Sequence, residues 1–354
     1  MPRASLFQII SLTIRSGLSS ILVVAGFGIF GVLISYVIGD TLLLIVAGLT
    51  SFLSLYSKSG NKSDGRSDNL SVNTLLSFSL PLLLSTMMLF GLGQIDKIFL
   101  LLQLQMSDLG VYNVAVGAAS IPAYVPSAIT IALIPSLSSI MAKKDIDGFI
   151  QLSGAYTRYV SLIAIPMSIG LASLATAVIQ IFGTHYLPGA YPAAIMSVSS
   201  GLTCISSVLS GELIAVKRTK AVMAAYLAGL LAFVAVLTLL IPILGFIGAA
   251  WGRAAMNVVV TLILIYITYK HRLFILDRKA YSASILASTV MGIIVYVAVT
   301  SIGGYRRQIA MLPVLVILGI VIYIAILRVM KIFMPEDKAF MERLLPQKMS
   351  RVVR

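Results

Sequence analysis

The sequence predicts an all-α fold, a polytopic bundle of about ten transmembrane helices. Three observations carry that reading. Hydrophobic residues make up 59% of the 354 residues and charged residues 11%, more apolar surface than a water-soluble chain of this length hides. The apolar runs are continuous over about 20 residues, as a helix needs to cross a hydrocarbon core of about 30 Å, whereas a membrane strand alternates over about ten. Basic residues collect on every second connection. Lys58, Lys62 and Arg66 follow the second run, Lys143 and Lys144 the fourth, and Lys217, Arg218 and Lys220 the sixth. Lys270, Arg272, Arg278 and Lys279 follow the eighth, and Lys331, Lys338, Arg343, Lys348, Arg351 and Arg354 the tenth, while the alternate loops hold only Arg306 and Arg307. By the positive-inside rule both termini are cytoplasmic, and the chain crosses the cytoplasmic membrane repeatedly.

In chain order the runs predict helices over 5–25, 29–56, 70–102, 109–142, 151–182, 192–216, 220–241, 246–269, 280–300 and 309–332. The first boundary involves a choice. A break at Gly39-Asp40 leaves only 41–56, short for a crossing; a break at Gly26-Phe27-Gly28 gives two full spans and places Arg15 and Asp40 within the bilayer. The second is preferred because its pattern recurs. LVVAGFGIFGVLISYVIG (22–39) parallels LIPILGFIGAAWGRAAMN (240–257), an apolar helix, a glycine turn and small residues opening the next helix. Related hairpins in two halves are a feature of transporter repeats. Pro81, Pro122, Pro126, Pro135, Pro166 and Pro313 fall inside spans and mark either static kinks or bending points. The segment 57–69, SKSGNKSDGRSDN, reads as a flexible linker. MPEDKAFMERLLPQK in the tail reads as an amphipathic helix on the inner membrane surface.

Charge inside a bilayer costs roughly 2.5–3.5 kcal/mol per residue on insertion scales, so each such residue needs a reason. Arg15 falls near the middle of the first span among Gln8, Ser11, Thr13, Ser16, Ser19 and Ser20. It either lines a water-filled cavity or pairs with Asp40 for folding. Arg253 lies well inside the eighth span with Asn257 one turn on, and either faces a cavity or snorkels. Asp96 and Lys97 are adjacent and point about 100° apart; Lys97 reads as an interfacial snorkel and Asp96 as an ion-linked or a structural carboxylate. Arg158, Glu212 and Arg328 near span ends read as interfacial anchors, with Glu212 neutralised by the KRTK run that follows it.

Several functions are excluded. The formal charge of +14 is accounted for by loops and a tail facing anionic headgroups, so no nucleic-acid partner is expected. Cys204 is the only cysteine, and His185 and His271 fall in loops on opposite sides, so no internal disulfide and no metal site is expected. There is no phosphate loop and no nucleophile–base constellation, and no cofactor or enzymatic activity is expected. The opening MPRASLFQIISLTIRSG is polar-striped, unlike a cleavable signal.

From the third span onward the chain resembles the polysaccharide or lipid-linked oligosaccharide flippases of the multidrug/oligosaccharidyl-lipid/polysaccharide exporter superfamily. The residues that carry the resemblance are QIDKIFL (94–100), LGVYNVAVGAASIP (109–122), ALIPSLSSIMAKKD (132–145), IFGTHYLPGAYPAAI (181–195), GELIAVKRTKAVM (211–223) and IPILGFIGAAWG (241–252). The resemblance implies a two-lobed transporter fold of 12 to 14 helices. In that layout, 1–57 holds the last two helices of an incomplete amino-terminal lobe and 58–69 a cytoplasmic linker. Residues 70–272 form the carboxy-terminal six-helix lobe, 273–332 two additional helices, and 333–354 a basic tail. It implies alternating access that carries a polyprenyl-linked oligosaccharide outward. Arg15 is then the first candidate contact for the carrier phosphate and Arg253 the second, with Asn257 and Asp40 beside them. Asp96 falls on the helix that carries an ion-coupling carboxylate in related flippases, but 220–241 has no acidic residue to complete such a site. The family's first four helices are missing, which implies a truncated or split product, a misassigned start, or a second chain supplying them. The expected partners are an anionic lipid-linked glycan, membrane lipids and glycan-assembly proteins. Two other readings stay open: a multidrug/cation antiporter of the same superfamily, and a scaffold that assembles glycosyltransferases without transporting.

Overall fold

The computed structural model describes residues 2–58, 72–271 and 277–330. The linker expected over 57–69 falls, apart from its first two residues, outside the described residues, as does the amphipathic tail helix. The chain divides into two compact units, Met1–Leu70 and Ser71–Arg354. All regular structure among the described residues is helical.

The first unit is a helical hairpin. Helix α1 (Pro2–Leu22) runs through a π turn at Val23–Phe27 into α2 (Gly28–Lys58). Gly26 and Gly28 take φ of 91° and 52°, a region that a side chain disfavours. The break at Gly26-Phe27-Gly28 is therefore where the chain reverses, and Asp40 lies within α2. A Cβ at Gly31 would approach within 2.7 Å of the Leu22 side chain, so the small residue lets α2 start close against α1.

The second unit contains α3 (Val72–Gln103), α4 (Met106–Ala119), α5 (Ile121–Ala142), α6 (Ile146–Ser173) and the short α7 (Ala175–Gln180). A 3-10 turn at Thr184–Gly189 leads into α8 (Ala190–Ala215), followed by α9 (Thr219–Leu244), α10 (Phe246–Lys270), α11 (Arg278–Ser301) and α12 (Tyr305–Val329). The helix expected over 109–142 is divided at Ser120. Pro122 sits in the first turn of α5, where its missing donor is not needed, and it cannot continue the ladder of α4. The helix expected over 151–182 starts earlier, where Asp145 caps α6 by accepting from the Gly148 amide at 2.9 Å, and it breaks at Leu174.

Seven segments among the described residues are long and apolar enough to cross a membrane: 12–46, 79–103, 184–215, 219–244, 246–270, 279–301 and 305–329. The first is folded in two by the Gly26–Gly28 turn. Helices α4–α5 and α6–α7 stand where the fourth and fifth expected spans fall, although neither pair is among those seven segments. Leu231, Leu239, Ile243 and Leu262 point outward, as they would toward lipid. Helix α8 is the exception. Buried residues cover 67% of its apolar window against 22% for α9, and it packs against α4, α5, α6, α7 and α10. Leu209 and Leu213 on α8 join Phe149, Val160, Val222 and Leu264 in one core; Met196 joins Leu100, Tyr112, Phe233 and Leu237 in another. A third core seats α11 and α12 against Leu174 and Ala177 through Met291, Val295 and Leu315.

The internal echo between 22–39 and 240–257 has a structural counterpart. Gly28 (φ 52°, ψ −132°) and Gly245 (φ 57°, ψ −135°) share one conformation. Each is followed three residues later by a glycine pressed on the preceding helix, Gly31 on Leu22 and Gly248 on the backbone of Leu240.

Candidate functional site

Arg15 in the first unit and Arg253 in the second, both well inside expected spans, each face an aspartate. In the first unit, Arg15 Nη1 donates to Asp40 Oδ1 at 3.0 Å across the hairpin. Its guanidinium lies 4.0 Å from the centroid of the Tyr36 ring, and a Cβ at Gly39 would collide with the Arg15 side chain. Arginine, ring and glycine seat thus form one fitted contact on α1 and α2. The Asp40 side chain is 60% exposed and that of Arg15 23%, so the pair is open on its acidic side. Leu12, Thr13, Ser16, Gly17 and Ser20 line a shallow, open depression along α1.

In the second unit the arrangement is closed. Asp96 on α3 is fully buried, and its Oδ2 accepts from Arg253 Nε at 2.6 Å and from the Tyr112 hydroxyl at 2.6 Å. Arg253 Nε also reaches the Tyr112 oxygen at 3.0 Å, and Asp96 Oδ1 accepts from the Lys97 amide at 2.9 Å. Three helices, α3, α4 and α10, therefore meet at one carboxylate. Arg253 Nη2 is buried without a hydrogen-bond partner among the described residues. It is a donor available to a further oxygen. Asn257, one turn on, turns instead to α8, where its Nδ2 lies 3.3 Å from Ser199 Oγ and 3.4 Å from Ser199 O.

Among the sequence candidates, the structure brings together Arg15 with Asp40 and Arg253 with Asp96, and it links Asn257 to α8. The sequence reading omitted Tyr112, although that residue lies within the LGVYNVAVGAASIP stretch. Two anchor assignments need correction. Glu212 is fully buried, and its Oε1 accepts from Ser153 Oγ at 2.5 Å and Thr157 Oγ1 at 3.2 Å, both on α6, so the KRTK run does not neutralise it. Arg158 is 9% exposed, with its Nε 3.6 Å from Asp277 Oδ2, so it is packed inside the bundle end and is not snorkelling. Arg328 is exposed, as an anchor would be. No group of three or more metal-ligating side chains is found among the described residues.

The sequence family described as "Polysaccharide biosynthesis protein" matches residues 3–191. No curated protein matches the chain. Among solved structures, the lipid II flippase MurJ in an inward closed conformation aligns over 89% of this chain and 65% of its own length, with TM-score 0.60 and 17% identity. An outward-facing multidrug resistance MATE family transporter of the MOP superfamily aligns over 70% of this chain and 62% of its own, with TM-score 0.51 and 14% identity. A MOP superfamily transporter from Pyrococcus furiosus, described as having a binding pocket of reversed polarity, aligns over 70% and 61%, with TM-score 0.50 and 15% identity. The chain spans less than two-thirds of each of these proteins. The likeness establishes the fold, a helix bundle like those of these membrane transporters.

Proposed function

The chain belongs to the polysaccharide biosynthesis protein family, and from that premise we propose that it takes part in translocating a polyprenyl-linked oligosaccharide or polysaccharide repeat unit across the cytoplasmic membrane by alternating access. The observation that carries this reading is the family match over residues 3–191, and the flippase-like fold is in keeping with it. The chain acts by moving its cargo and not by making or breaking its bonds. Both termini face the cytoplasm on the charge pattern of the loops. The cargo is anionic through its phosphate or pyrophosphate, whose oxygens suit a guanidinium in a dry setting. Arg15 and Arg253 are the proposed phosphate contacts, each on its own unit. Arg253 has the stronger geometric case, because Nη2 is a buried donor with no acceptor. Asp40 and Asn257 orient the neighbouring groups. An antiporter of organic cations is less well supported, since Asp40 and Asp96 are each already paired to an arginine.

The test is translocation of a fluorescent polyprenyl-pyrophosphate oligosaccharide in liposomes. These carry the protein purified from its native membrane together with any chains that co-purify. Label that starts in the inner leaflet is expected to become accessible to an external membrane-impermeant quencher faster than in protein-free liposomes, and Arg253→Gln to slow that rate at least about tenfold, the effect of losing roughly 1.4 kcal/mol of charge-assisted bonding. A rate equal to that of empty liposomes with all co-purifying chains present would remove the transport reading and leave a scaffold role.

A further inference from the structure

Glu212 is an ionisable group that the proposed transport site does not use, and its surroundings are unusual for a charge. It is fully buried, in the last turn of α8, with its carbonyl bonded to the Val216 amide at 3.1 Å. The carbonyl ends of a helix repel negative charge, so the backbone itself disfavours a carboxylate there. Oε1 takes both hydroxyl donors from α6, while Oε2 is buried with no hydrogen-bond partner among the described residues. No cation lies within ion-pair distance of either oxygen among the described residues.

The neighbouring elements supply no compensation. On α6 the nearest cation in sequence, Arg158, is directed to Asp277 at the start of α11. From α11 itself, the Tyr281 hydroxyl donates to the Thr157 carbonyl at 3.4 Å, and Asp277, Arg278 and Lys279 stand at the start of that helix, Lys279 exposed. On α9, Tyr226 faces Ser210 at 3.5 Å, and Lys220 stands in the first turn. On α10, Arg253 is held by Asp96, and Lys270 ends the helix. Helix α5 has Tyr124 but no Asp, Glu, Lys, Arg or His, and α4 has Tyr112, held by Asp96, and Asp108 in its first turn. A bare carboxylate oxygen in such a place is far more costly than a neutral hydroxyl without an acceptor.

We propose that Glu212 is a proton-binding site: it is held as the neutral acid with its proton on Oε2, and loss of that proton puts an uncompensated charge into the seam between α6, α8 and α11. Ser153 and Thr157 fix Oε1 as the accepting oxygen, which leaves Oε2 as the atom that gains and loses the proton. Release loosens α8 from α6 at the end of the bundle where α8 turns into α9. This stands whether or not the chain moves a glycan.

Infrared difference spectra of the lipid-reconstituted protein test it. Near neutral pH the wild type is expected to show a protonated-carboxyl stretch that Glu212→Gln removes and Ser153→Ala shifts, and that fades as pH rises. Glutamine keeps the acceptor for both hydroxyls, so Glu212→Gln is expected to fold. Its melting temperature is expected to stay level across the interval in which the wild type's falls. If Glu212→Gln does not fold, the Ser153→Ala shift makes the assignment. Absence of any carboxyl band that responds to Glu212 or Ser153 would overturn the proposal. So would a carboxylate signal at Glu212 that depends on sodium instead of pH, which would place a bound cation there.

Discussion

The Arg15–Asp40 and Arg253–Asp96 pairs differ in nearly everything but their chemistry. Arg15 and Asp40 are 25 positions apart on one hairpin, and the aspartate is mostly exposed. Arg253 and Asp96 are 157 positions apart, and the aspartate is fully buried beneath a tyrosine hydroxyl. A local pair forms once its turn forms, and it asks little of the remaining structure. A long-range buried pair forms only after three helices have met, and from then on each partner depends on the other. The same two residue types therefore act as a clasp within one hairpin and as a keystone among α3, α4 and α10.

The largest effect is expected at the keystone. Asp96→Ala leaves Arg253 charged and unpaired, and should cost about 3–5 kcal/mol, read as a lowered unfolding midpoint in bilayer discs. Asp96→Asn combined with Arg253→Gln should recover most of that loss, because it removes both charges together. A double variant as unstable as Asp96→Ala would show that the charge is not what matters. The paired turns come next. Gly248→Ala should cost about 1–3 kcal/mol, because the new Cβ meets the Leu240 backbone at 2.5 Å. Gly31→Ala should cost less, since its nearest obstacle is the Leu22 side chain. Tyr112→Phe removes one donor from a carboxylate that keeps its arginine, and should cost about 1–2 kcal/mol in the same measurement.

The clasp should be cheap. Asp40→Asn is expected to change stability by no more than about 1 kcal/mol, and an effect matching that of Asp96→Ala would abolish the contrast. The smallest effect concerns His271, outside the spans, whose Nε2 lies 2.6 Å from Arg218 Nη1. Desolvation first, then the charges of Arg218 and Lys270, hold its pKa below the ordinary histidine value. Only the neutral ring accepts from Arg218, so the contact is present at neutral pH and lost as pH falls through the lowered pKa. Titration of the ring by NMR should give a midpoint below that of a free histidine, returning toward it in Arg218→Ala.

Much of this architecture was legible in the sequence where the cause is local. Glycines at 26 and 28 mark a reversal because only glycine takes those angles easily, and Arg15–Asp40 follows from counting helix turns on either side. Pro122 marks the Ser120 break, although it reads as a kink in a single helix. The break at Leu174 carries no proline, and Pro166 marks the wrong place for it. Tyr112 and Glu212 were hidden for a different reason. Their roles depend on which distant helix lies opposite, and hydropathy does not carry that. The KRTK run beside Glu212 is a local signal that points the wrong way, since α8 is enclosed on most sides and Glu212 in its last turn is buried.

That enclosure bears on how the protein is made. Ser197, Ser199, Ser200, Ser206, Ser207 and Ser210 give α8 a hydroxylated surface that sits poorly against acyl chains, although four of the hydroxyls bond back to carbonyls of their own helix. The ribosome delivers α4, α5, α6 and α7 before α8, but α10, which packs along its length, arrives only after α9. During that interval α8 has one flank without its permanent neighbour. The open flank belongs to the most serine-rich of the described helices.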